Sequence, residues 1–247
     1  MSNNEVGDVC IAREICSAYG VLCSAQCVGY METDHQIRLS EIPKRYWNIN
    51  GEPASAATAA DLIKSDNPKE SRFIKKFGSN LPDEVKRGSG LFLFGSTGSG
   101  KTTTATALLQ DYIRYTVSMA IAERQGVRGL SALYVHVPTF LRTAKTIYED
   151  DHAVASQASA EVAQMTRKML KVPLLLMDDI GAEKPTESVR ERMLTIVEHR
   201  TVEGLATIYT SNLTLPEIEI SLGSRIRSRI EGETIQLNLS GRDHRRA

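Results

Sequence analysis

The sequence predicts an α/β fold, a central parallel sheet held between two layers of helices. Three observations carry this. Short apolar runs alternate along the chain with longer segments of helical periodicity. The run at residues 91–94 leads directly into a glycine-rich loop and then a helix. A second run, residues 172–177 (VPLLLM), is apolar throughout, as a strand buried on both faces must be, and stops at Asp178-Asp179.

In chain order, the first segment is the least regular. Cys10, Cys16, Cys23 and Cys27 all fall within the first 30 residues. Their C-x5-C-x6-C-x3-C spacing lacks paired C-x2-C knuckles, so they read either as a Zn²⁺ site, with His35 as a substitute ligand, or as free thiols. The apolar residues up to about Tyr30 are too few for an independent core and suit a small helical or metal-stapled module. Pro43, Tyr46 and Trp47 then suggest a turn and an anchor on the main domain, residues 51–60 read as a linker running into a helix, and a second helix covers residues 68–77. The domain boundary is placed at 42/43.

The loop Gly95-Ser96-Thr97-Gly98-Ser99-Gly100-Lys101-Thr102 matches G-x-x-x-x-G-K-[ST] in full. Its glycines allow positive φ and close backbone approach, so that successive N–H groups, through Thr103, converge on the phosphates of a nucleotide. Lys101 reaches the β and γ phosphates, and the Thr102 hydroxyl is an Mg²⁺ ligand. The helix that follows supplies N-terminal amides and dipole, with Ala105, Leu108, Leu109, Tyr112 and Ile113 facing inward.

Residues 131–137 read as the next strand and 139–171 as helix, interrupted near 149–152, with Lys145, Arg167, Lys168 and Lys171 on a solvated face. The strand ending in Asp178-Asp179 brings both carboxylates to the carboxyl edge of the sheet, where ligands bind in such folds. There Asp178 would hold Mg²⁺ through water, and Asp179 would orient the attacking water. A helix at 187–200 and a strand at 206–210 follow, and Asn212 at the strand's end is positioned to bond the lytic water. A further helix carries Arg225, Arg227 and Arg229, with Arg225 and Arg229 on one face. The last strand spans 234–239.

Lys plus Arg equals Asp plus Glu, 30 each, so no overall positive field favours coating DNA as a monomer. No apolar run approaches the roughly 18 residues that span a bilayer, and the first residues, MSNNEVGD, lack a secretory pattern, which predicts a cytoplasmic protein without membrane contact.

The phosphate loop, LLLMDDIG, TIYTSNL and LGSRIRSRI stand in the order and spacing of AAA+ ATPases of the DnaC and DnaI type, the bacterial and phage replicative helicase loaders. From about Ile42 onward the chain resembles this clade, which includes the transposition helper IstB. The resemblance implies a P-loop NTPase three-layer sandwich, ATP and Mg²⁺ as cofactors, Asn212 as sensor 1, and Arg229 as the arginine finger with Arg225 as its rival. It also implies ATP-dependent self-assembly, a hexameric replicative helicase as partner gripped by the N-terminal module, and single-stranded DNA as ligand. Two departures stand out. Position 179 is Asp where most such proteins carry Glu, and the chain leaves no room for a full helical lid after Leu239, with Arg245 as the one stand-in for sensor 2. An IstB-like helper assembling on duplex DNA is the alternative. A small-molecule kinase is disfavoured, because nothing between the second and third strands resembles an arginine-bearing lid.

Overall fold

The computed structural model describes residues 27–148, 150–182 and 185–243. Five strands form one parallel sheet in the order β4-β5-β6-β3-β7: β3 (Gly90–Phe94), β4 (Ala132–His136), β5 (Leu174–Asp178), β6 (Ala206–Ser211) and β7 (Thr234–Asn238). Because all five run the same way, Phe94, His136, Asp178, Ser211 and Asn238 end together at one edge, with Phe94 opposite both Ser211 and Asn238 and His136 opposite Asp178.

Strand side chains alternate between faces, and that alternation divides the interior into two cores. Leu91, Leu93, Ala132, Tyr134, Leu174, Leu176, Ala206 and Ile208 face one cluster, which is closed by α5 (Lys101–Ala122). Phe92, Leu133, Val135, Leu175, Met177 and Tyr209 face the other, closed by α6 (Val137–Thr146), α7 (His152–Lys171), α8 (Glu187–Val202), α9 (Leu215–Leu222) and α10 (Ser224–Glu233). Burial on both faces explains why these strands read as unbroken apolar runs.

The helices of the first layer are α1 (Val28–Leu39), α2 (Ala56–Ile63), α3 (Pro68–Ser79) and α4 (Leu81–Lys86). Helix α1 packs along α5, and its Ile37 is buried in the same cluster as Leu108. The stretch expected to be a linker is packed instead. It begins with β2 (Glu52–Pro53), which pairs with β1 (Asn48–Ile49) just before it, and Ala54 and Ala59 are buried with Ile49 and Ala107. Its small residues are there for close approach: the Ala56 N–H donates to Asp111 of α5 at 2.6 Å, and a Cβ on Gly78 would collide with that of Ala56.

At the opposite edge of the sheet from the strand ends, Arg200 is 1% exposed. Its guanidinium donates to the Thr207 hydroxyl and to the carbonyls of Met169, Val172 and Ala206 at 2.6–2.9 Å. Burial pulls it down to about 10, which leaves it cationic at neutral pH.

Three of the four cysteines lie outside the described residues, and Cys27 is a free thiol. Among the described residues no group of three or more His, Cys, Asp or Glu side chains is placed to hold a metal, and no helix is long and apolar enough to cross a membrane. Arg245 also lies outside the described residues.

Candidate functional site: a phosphate loop at the carboxyl edge

The strand ends enclose a cavity of about 490 Å³ lined by Thr97, Gly98, Gly100, Lys101, Thr102, Thr103, Asp178, Asp179 and Asn212, among others. The sequence set these residues far apart, and the parallel register brings them together. Gly95, Gly98 and Gly100 have φ of 133°, 80° and 93°. At Gly95 a Cβ would also run into the Leu239 carbonyl, because the chain leaving β7 passes directly behind the loop. Glycine is therefore required there for conformation and space alike.

Lys101 is 8% exposed, and its ammonium donates to the carbonyls of Gly95 and Ser96 at 2.9 and 2.7 Å and to Asn212 Oδ1 at 2.9 Å. It thus curls the loop around itself and ties it to the end of β6. Ser99, between Gly98 and Gly100, is buried, and among the described residues its hydroxyl has no hydrogen-bond partner.

Asp178 is 4% exposed and accepts three hydroxyl bonds. Oδ1 takes them from Thr102 at 2.8 Å and Thr210 at 2.6 Å, and Oδ2 takes one from Tyr134 at 2.9 Å. Burial, with the Asp178 carboxylate beside it, pushes the Tyr134 phenol well above its ordinary range, so it stays a donor. A carboxylate and a threonine hydroxyl in contact at the mouth of a phosphate loop are a donor set suited to Mg²⁺, a hard cation that prefers oxygen ligands. Asp179 sits at φ +61°, a left-handed conformation uncommon outside glycine, with its N–H on the Thr210 hydroxyl and its carboxylate 3.4 Å from the Asn212 amide.

The far wall comes from residues to which the sequence reading gave no site role. Arg45, Tyr46, Asn48, Ile49, Asn50 and Leu62 line it, and Gln110 of α5 holds the Tyr46 carbonyl at 2.8 Å. The one usable signal was the aromatic pair Tyr46-Trp47, which reads as an anchor: Trp47 donates to the Ile42 carbonyl at 2.9 Å and packs on the first core.

The arginines of α10 stand apart from this cavity. Arg225 is exposed and paired with Glu198 at 2.7 Å, and Arg227 pairs with Glu231 at 2.9 Å. Arg229 is exposed and, among the described residues, makes no side-chain hydrogen bond or ion pair.

Residues 72–226 match the family model described as IstB-like ATP binding protein. The chain is 31% identical over 148 residues to the replicative helicase loader DnaI of Bacillus subtilis, covering 60% of this chain and 39% of that protein. It is 28% identical over 131 residues to a putative ATP-binding protein of insertion sequence IS1162 from Pseudomonas fluorescens, covering 53% of this chain and 47% of the other. The chain therefore spans less than half the length of either relative. Among solved structures, DnaI superposes with a TM-score of 0.57 at 24% identity over 85% of this chain and 98% of that one, and the DnaC helicase loader with 0.54 at 24% over 80% and 99%. These likenesses give the fold, a P-loop sandwich of a parallel sheet between helix layers. With a family match over more than half its length and a complete phosphate loop inside the matched residues, the chain belongs to the IstB-like ATP-binding proteins.

Proposed function

We propose that this protein is an ATP-switched loader that delivers a replicative DNA helicase to single-stranded DNA. The observation that supports it most is the 31% identity over 148 residues with a replicative helicase loader. In this reading the loop amides and Lys101 bind the phosphates of ATP, and the wall from Arg45 to Asn50 receives the rest of the nucleotide. Thr102 and Asp178 hold Mg²⁺, which neutralises phosphate charge when bound. Asp179 and Asn212 orient the attacking water. Arg229, exposed on α10, completes the site of a neighbouring subunit, so hydrolysis is weak until subunits assemble. The segment 1–42 holds the helicase, with α1 as its base on the domain, and the protein works in the cytoplasm.

The test is a pull-down of the host's replicative helicase with and without ATP. Retention of the helicase supports the reading, and no retention in either condition overturns it. The IS1162 relative and the family itself favour a second reading, an IstB-like helper that assembles on duplex DNA. That one predicts ATP-dependent filaments on double-stranded DNA and no helicase contact.

A further inference from the structure

We propose that Tyr134 is a positioning residue of the nucleotide site, fixing the Asp178 carboxylate so that Asp178 and Thr102 present a set pair of oxygens to a divalent cation. This rests on the reading that the site takes a metal–nucleotide complex. Tyr134, Asp178 and Thr210 each lie an even number of residues from the interior positions of β4, β5 and β6 that face α5, so all three point toward the helix whose first turn carries Thr102. In register Tyr134 lies opposite Leu176, which puts Asp178 on the diagonal, within reach of an aromatic side chain.

The distribution of the three bonds matters more than their number. Thr102 and Thr210 both donate to Oδ1, about which the carboxylate could still pivot. Tyr134 supplies the bond to Oδ2, and that third point fixes the plane. The tyrosine is itself immobile: it is 6% exposed, and its backbone N–H donates to the Ser40 carbonyl at 2.8 Å. A buried tyrosine hydroxyl needs some partner, so the competing account is a phenol that merely satisfies itself.

Binding of a fluorescent ATP analogue to the full chain, followed during an Mg²⁺ titration and again in EDTA, separates the two. For Tyr134→Phe the half-saturating Mg²⁺ concentration is expected to rise by about 10-fold or more, the loss of one hydrogen bond to a charged group. Analogue affinity in EDTA should stay within about twofold of wild type, and the melting temperature should hold, because ring packing is kept. An unchanged Mg²⁺ titration overturns the proposal. So does an equal loss of affinity in EDTA accompanied by a lower melting temperature, which marks a structural role. Wild-type binding that ignores Mg²⁺ would instead remove the reading on which the proposal rests, and is seen without any variant.

Discussion

Lys101 at the start of α5 donates to Asn212 Oδ1 just past the end of β6, 2.9 Å away, so the phosphate loop is tied directly to the neighbouring strand end. Phosphates must draw the ammonium from this acceptor and from the loop carbonyls. Lys101→Ala should therefore lower ATP affinity by about 100-fold or more, read by calorimetry, while the sheet stays folded.

Asn212→Ala separates two roles of one side chain. If Asn212 chiefly orients water, ATP binding should stay within about threefold and phosphate release should fall about 10²-fold. Equal losses in both would assign its main role to the Lys101 contact.

Asp179 offers a trade between stability and chemistry. Its φ of +61° is costly for any residue with a Cβ, so Asp179→Gly should raise the melting temperature slightly, with about 1 kcal/mol of strain relieved against glycine's greater freedom in the unfolded chain. The same change removes the carboxylate 3.4 Å from Asn212, and steady-state hydrolysis should fall to background.

Arg229→Ala should leave ATP binding by an isolated subunit unchanged and reduce ATP-dependent assembly and hydrolysis by about 10³-fold at most, the low end of an arginine finger's worth. Sedimentation with and without ATP, beside a phosphate-release assay, reads both. Arg225→Ala should lose only an exposed ion pair with Glu198, worth about 0–1 kcal/mol, if Arg229 is the finger.

Arg200→Met tests the opposite edge of the sheet. The carbonyls of Met169, Val172 and Ala206 would lose their donor, at a cost of about 3 kcal/mol and a fall in melting temperature of about 10 °C. Because Arg200 lies at the other end of the strands, ATP affinity measured well below that temperature should be unchanged.

The sheet was legible because each interior strand is buried on both faces and announces itself as an apolar run, and the phosphate loop because its chemistry demands fixed residue types. Asp178, Asp179 and Asn212 were legible as strand ends, since a parallel register aligns them. The wall from Arg45 to Asn50 was not. Strands β1 and β2 have two residues each, too few to show a period, and their place is fixed by distant partners such as Gln110. Tyr134 stood in the sequence as one more apolar strand residue, and only the register between β4 and β5 brings its hydroxyl to Asp178. Helix α1 was hidden because what it buries includes Thr33 and Gln36, whose side chains bond Gly29 and Glu32 of the same helix.

Helix α5 runs 22 residues without a break, about 33 Å, from Lys101 to Ala122. Its first turn belongs to the phosphate loop, while its last turns lie beside α1, where a Cβ on Gly29 would touch Ile121. One rod thus joins the nucleotide to the far pole of the domain. Its middle is clamped by Leu108, Leu109 and Ile113, all fully buried, so it cannot bend locally. The phosphate loop and α1 thus share one continuous helix as their support.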